Sequence, residues 1–110
     1  MKKNKYYVPP KEKSMIKYEL YMYKTYKKTL KRLLNLKKQP TREIEVITLK
    51  IGLIDQALKR LSKEDREAAQ IIFFEDCTVG AAEMRGMSKG AYYNAIDRIC
   101  YITAQEFDLV

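Results

Sequence analysis

The sequence predicts an all-α fold of about five helices, an N-terminal helical pair followed by a C-terminal helix-turn-helix unit. Three observations carry that expectation. Apolar residues recur at three-, four- and seven-residue steps over long stretches, as one face of a helix requires. Residues able to cap a helix, Ser14, Thr41, Ser62, Thr78 and Ser88, stand at the head of those stretches. Between the last two stretches lies Gly86, suited to the left-handed backbone of a tight turn.

Taken in order, residues 1–13 carry five lysines and the Pro9-Pro10 pair, which removes two backbone donors and biases Val8 away from helix; they read as a flexible basic arm. Residues 14–61 read as the helical pair, used for packing or dimerisation. In its first helix Ile16, Leu20, Tyr23, Leu30 and Leu33 or Leu34 form the apolar row, with Ser14 as cap. Lys17, Lys24, Lys28 and Lys31 share one flank, interleaved with Tyr18, Tyr21, Tyr23 and Tyr26. Two readings fit: a face that tracks phosphates with aromatic platforms, or tyrosines rimming the core beside snorkelling lysines.

Gln39-Pro40 ends that helix, and Thr41 opens the second with Glu43 in its first turn. Ile44, Ile47, Ile51, Ile54, Leu58 and Leu61 step by three and four, as in a bundle helix or a coiled-coil seam. That seam packs inside the domain or serves oligomerisation; a second row, Val46, Leu49, Leu53 and Ala57, offers a dimer face. Residues 62–110 read as the last unit. Ser62 to Asp65 forms a capping box that starts a third helix carrying Ala68, Ala69 and Ile71 to Phe74, and stopping near Glu75-Asp76. Glu64, Asp65, Glu67, Glu75 and Asp76 offer a divalent-cation cluster, although the first three equally suit a helix N-terminus.

Composition narrows the chemistry. A chain of 110 residues with 46% hydrophobic and 33% charged side chains suits one small folded domain. Its longest apolar run, Ile71 to Phe74, is too short to cross a bilayer, so the expected place is soluble and intracellular. With no histidine and two cysteines, Ser-His and Cys-His nucleophiles and the common zinc sites are missing; four scattered glycines form no phosphate loop. Neither an enzyme nor a cofactor is expected. Cys77 and Cys100 lack a CxxC spacing and read as buried or incidental thiols.

Charge points to a partner. The net charge of +8 is uneven: residues 1–40 carry thirteen basic and two acidic side chains, and residues 41–110 nine basic and twelve acidic. The basic half favours a polyanion.

Residues 78–99 supply the reading element. A short helix opened by Thr78, a turn at Gly86 and a longer helix opened at Ser88 have helix-turn-helix spacing. Ala82 is small enough for close helix approach, and Met87, Tyr92, Ile96 and Ile99 face inward. Lys89, Gly90, Tyr93, Asn94, Asp97 and Arg98 then point outward. Asn94 suits an adenine edge, Lys89 a guanine or phosphate, and Tyr93 a phosphate or thymine methyl; Thr78 and Ser88 bring helix N-termini to phosphates. Arg85 stands where an apolar residue is usual, so either Met84 turns inward or the turn is offset by one residue. Asp97 puts a negative charge on the presumed DNA face.

Leu61, Arg66, Ala82, Gly86 and Ser88 are spaced so that residues 61–106 resemble the fourth conserved region of bacterial sigma factors. From about residue 14 the chain is most similar to phage and prophage transcriptional regulators of the ArpU and RinA kind, with the Tyr92-Tyr93 pair and the ending Ala104-Gln105-Glu106-Phe107 in their style. The resemblance implies a late-gene activator that binds double-stranded promoter DNA as a monomer or homodimer in a bacterial cytoplasm, with RNA polymerase as a second partner. Two rivals stay open: a small terminase subunit assembled through the isoleucine seam, and a polymerase-binding module that reads no bases.

Overall fold

The computed structural model describes residues 5–75 and 78–110 of the chain. Among them are five α-helices and one π-helical segment, and no strand. The first two helices, α1 (Pro10–Leu34) and α2 (Thr41–Arg60), form an antiparallel hairpin. Its inner contacts are tied by Lys50 Nζ donating to Glu19 at 3.2 Å and by the Tyr23 hydroxyl donating to Asp55. The helix begins at Pro10, ahead of Ser14, because a proline at N1 needs no amide partner and is already held near the helical φ. Likewise Pro40, not Thr41, precedes α2, and neither helix has a side-chain cap.

Part of the expected flexible arm is docked. Val8 is buried, Tyr6 sets its ring edge-on to Tyr101 at 5.7 Å, and Lys13 reaches Asp97 at 2.5 Å. These contacts pin residues 5–13 along the last helix. Residues 1–4 of the arm lie outside the described residues.

Helix α3 (Lys63–Ala69) starts as the capping box predicts, with Ser62 Oγ accepting from the Asp65 amide at 3.1 Å. The reciprocal half does not form, because the Asp65 carboxylate turns to Arg98 instead. After Ala69 the backbone loosens into a π-helical segment, Gln70–Phe74, closed by the Glu75 amide donating to Gln70 O at 2.8 Å. Phe73 and Phe74 both meet α1 there: Phe73 lies edge-on to Tyr21 at 5.1 Å, and Phe74 packs on Tyr23 at 4.9 Å. Asp76 and Cys77 lie outside the described residues.

The short helix α4 (Val79–Met84) and the longer α5 (Lys89–Glu106) complete the chain. All elements contribute to one core around Ile16, Leu20, Ile54, Ile72, Ile99 and Cys100, which are fully buried. That core gathers at the open end of the α1/α2 hairpin, away from the 35–40 connection, where α3, α4 and α5 pack. The other half of the hairpin projects as two helices, and the longest extent of the molecule is 53 Å.

Candidate nucleic-acid interface

The α4 to α5 turn is built as the sequence predicts. Gly86 has φ +89°, and the chain closes there with the Met87 amide donating to Ala82 O at 3.1 Å and the Gly86 amide to Glu83 O at 3.0 Å. This is the Schellman pattern, in which a left-handed glycine lets the last carbonyls of a helix find amide partners. Ala82 is fully buried at the helix approach. Thr78 Oγ1 accepts from the Ala81 amide at 3.2 Å, and Ser88 Oγ from the Ala91 amide at 3.1 Å. Both caps leave their hydroxyls and the first turns of α4 and α5 exposed.

Inward positions on α5 fall as expected: Tyr92, Ile96 and Ile99 are buried and Met87 half-buried. Lys89, Gly90, Tyr93 and Asn94 are exposed together on the first half of the helix, with the Tyr93 ring held edge-on by Tyr92 at 5.2 Å. Met84 does not turn inward; it is 91% exposed. Arg85 is exposed too and pairs with Glu75, so the turn closes on Gly86 without an apolar residue in front of it.

Arg98 departs from the expected set. Its guanidinium grips Asp65 through two bonds of 2.8 Å, and that carboxylate is 6% exposed. The pairing raises the Arg98 pKa and commits Nε and Nη2 of the guanidinium to Asp65. Arg98 therefore joins α5 to α3, unlike the exposed Lys89 and Asn94 earlier on the helix.

The acidic blemish at Asp97 is answered from elsewhere in the chain. Lys13 at the start of α1 pairs with it, and Lys13, Ser14 and Lys17 share a hollow of about 370 Å³ with Asp97 and Tyr7. Tyr93 and Asn94 stand one turn before Asp97, so the exposed face of α5 runs onto α1 through this hollow.

From there α1 continues as a basic face. Lys17, Tyr18, Tyr21, Lys24, Thr25, Lys28, Lys31 and Arg32 fall on one side at helical spacing, and that side carries no acid. Glu12 and Glu19 lie on the opposite side, where Glu19 accepts from Tyr26 at 2.7 Å and from Lys50. Of the four accessory lysines, Lys24, Lys28 and Lys31 are exposed and Lys17 is half-buried. The interleaved tyrosines divide between the two readings: Tyr23 and Tyr26 are buried with bonded hydroxyls, whereas Tyr18 and Tyr21 are exposed. Tyr21, Lys24 and Lys28 border a further hollow with Phe73 and Phe74.

Comparison with known protein families, with curated proteins and with solved structures finds no match for this chain.

The remaining predicted positions resolve as follows. Ile54 is fully buried, and Ile44, Ile47, Ile51 and Leu58 are half-buried, turned toward α1 and the common core. Much of the isoleucine seam thus packs within the chain, with Ile51, Ile54 and Leu58 against the common core. In the second row Ala57 is buried and Leu53 half-buried, but Val46 and Leu49 are exposed. Among the carboxylates, Asp65 is taken by Arg98 and Glu75 by Arg85, and no metal-holding group of three or more acids or cysteines forms among the described residues. No helix among them is long and apolar enough to cross a membrane. Sequence reasoning missed Lys13, whose partner is 84 positions away and leaves no local signal. It also passed over Arg32, which helical spacing adds to the lysine flank.

Proposed function

We propose that this chain is a sequence-directed duplex DNA-binding regulator of transcription, of the kind that phage and prophages use to activate late genes. What supports this most is one arrangement: a capped helix-turn-helix whose exposed Lys89, Gly90, Tyr93 and Asn94 lead through Lys13 and Lys17 onto an acid-free basic face. The reading half of α5 carries little charge of its own, so affinity must come from elsewhere. Helix α1 supplies it through phosphate contacts, and the neutral donors and acceptors of α5 are left to discriminate bases.

The division of labour gives the test. The purified chain is used to retain fragments of bacterial genomic DNA carrying prophages, and the bound fragments are sequenced. Enrichment of a discrete site upstream of late genes is expected. Asn94→Ala should cost about 1–3 kcal/mol on that site and leave the salt dependence nearly unchanged. Lys24→Glu with Lys28→Glu should weaken all sequences alike and flatten the slope of log affinity against log salt by about 0.9 for each phosphate lost. Uniform retention of every fragment, or none, would overturn sequence-directed reading by the protein alone. Enrichment beside packaging genes would favour a terminase role instead.

A further inference from the structure

Helix α2 carries a row of residues that the monomer does not explain. Midway along it Leu49 is 63% exposed and Val46 45% exposed, with Leu53 half-buried beside them. Next to Leu53 stands Gly52, exposed in the interior of a 20-residue helix. A glycine there forfeits helix stability relative to alanine. Nothing among the described residues requires it, since a Cβ built at Gly52 meets none of their atoms within 4 Å. Seven residues to either side, Glu45 and Lys59 lie on the same face and are exposed.

The face through Glu45, Leu49, Gly52 and Lys59 is complementary to itself when reversed. Laid antiparallel across a second copy and centred on Gly52, each Glu45 meets the other's Lys59, so the two-fold forms the ion pair twice. The glycines allow the two backbones to approach, and the exposed Leu49 of each copy flanks the crossing. A parallel pairing would instead set Glu45 on Glu45 and Lys59 on Lys59, which like-charge repulsion opposes.

We infer that α2 is a homodimer interface, pairing antiparallel with α2 of a second copy across Gly52. Such an isologous contact closes on itself and stops at two chains. On the DNA-binding reading above, the dimer presents two reading units related by a two-fold, and the bound site is an inverted repeat. The pairing itself stands without DNA.

Sedimentation equilibrium of the full chain, without DNA and over a concentration series, tests it. The parent protein should show a monomer–dimer equilibrium. Gly52→Leu fills the crossing point but open space in the monomer, so it should abolish the dimer while the melting temperature, followed by circular dichroism, does not fall. Glu45→Lys and Lys59→Glu should each dissociate the dimer, and the two together should restore it. A parent that stays monomeric throughout, an undiminished Gly52→Leu dimer, or a double charge swap without restoration would each overturn the interface. A dimer with no DNA affinity would sink only the functional reading, and a DNA-binding monomer only this one.

Discussion

Arg98 lies on the helix that presents Lys89, Tyr93 and Asn94, yet both prongs of its guanidinium are held by a carboxylate on α3. Truncating it would strand Asp65 almost out of water. We expect Arg98→Ala to cost about 2 kcal/mol of folding stability, toward the low end for a broken buried pair because the guanidinium side is over a third exposed. DNA affinity of the folded protein should not change. Denaturant unfolding and binding titrations on the same preparation check both halves, and a loss of affinity without a loss of stability would return Arg98 to the DNA face. A second group of residues sets the alkaline limit. Burial, with donation to Asp55 and Glu19, raises the Tyr23 and Tyr26 hydroxyls above the ordinary value of 10.0, and burial pushes the Cys100 thiol up to about 11. In the unfolded chain these groups ionise first, near 9 for the thiol and 10 for the phenols, so the folded state binds more protons there. Stability should hold below pH 9 and fall as pH rises through the raised values. Tyrosinate absorbance should show two of the nine tyrosines ionising only with unfolding, and Tyr23→Phe should soften the fall.

At the level of elements, the helix-turn-helix depends on how α4 stops. Gly86 at φ +89° is the residue whose backbone an L side chain resists, and the two amide bonds of the Schellman closure depend on it. Gly86→Ala should destabilise the protein by about 1–2 kcal/mol, measured by thermal or denaturant unfolding. An unchanged midpoint would mean that the turn is held by Met87 and Ala82 packing alone. Asp108 at φ 62° closes α5 in the same manner, with the Leu109 amide on Ala104 O at 2.9 Å; aspartate is one of the few side chains that tolerate this left-handed place. The π-helical segment after α3 has a comparable positional role. It delivers Phe73 and Phe74, neighbours in sequence, to the same helix, and so holds the end of the α3 segment against α1.

Across the whole molecule, the sequence by itself determined what is local. Helical periodicity, the Ser62, Thr78 and Ser88 caps, the left-handed turn at Gly86 and the inward row Tyr92, Ile96 and Ile99 follow from spacings of a few residues, and each stands where it was expected. So does the exposure of Lys89, Gly90, Tyr93 and Asn94, which is the complement of that row. Start positions of α1 and α2 were less legible, because proline and a polar cap compete for the same boundary, and at α1 the proline at N1, with Val8 packed beside it, sets the earlier start. Tertiary structure alone decided which charges remain available. Arg98 and Asp97 look alike in sequence as outward-facing ions on a recognition helix, and both are claimed by partners far along the chain, Asp65 and Lys13. The same holds for the four tyrosines of α1, which share one periodic pattern; proximity to Asp55, Glu19 and Lys50 buries two of them and leaves the other two facing outward. Ion pairs and burial are properties of proximity in space, and a spacing rule within one helix carries no information about what another helix brings beside it.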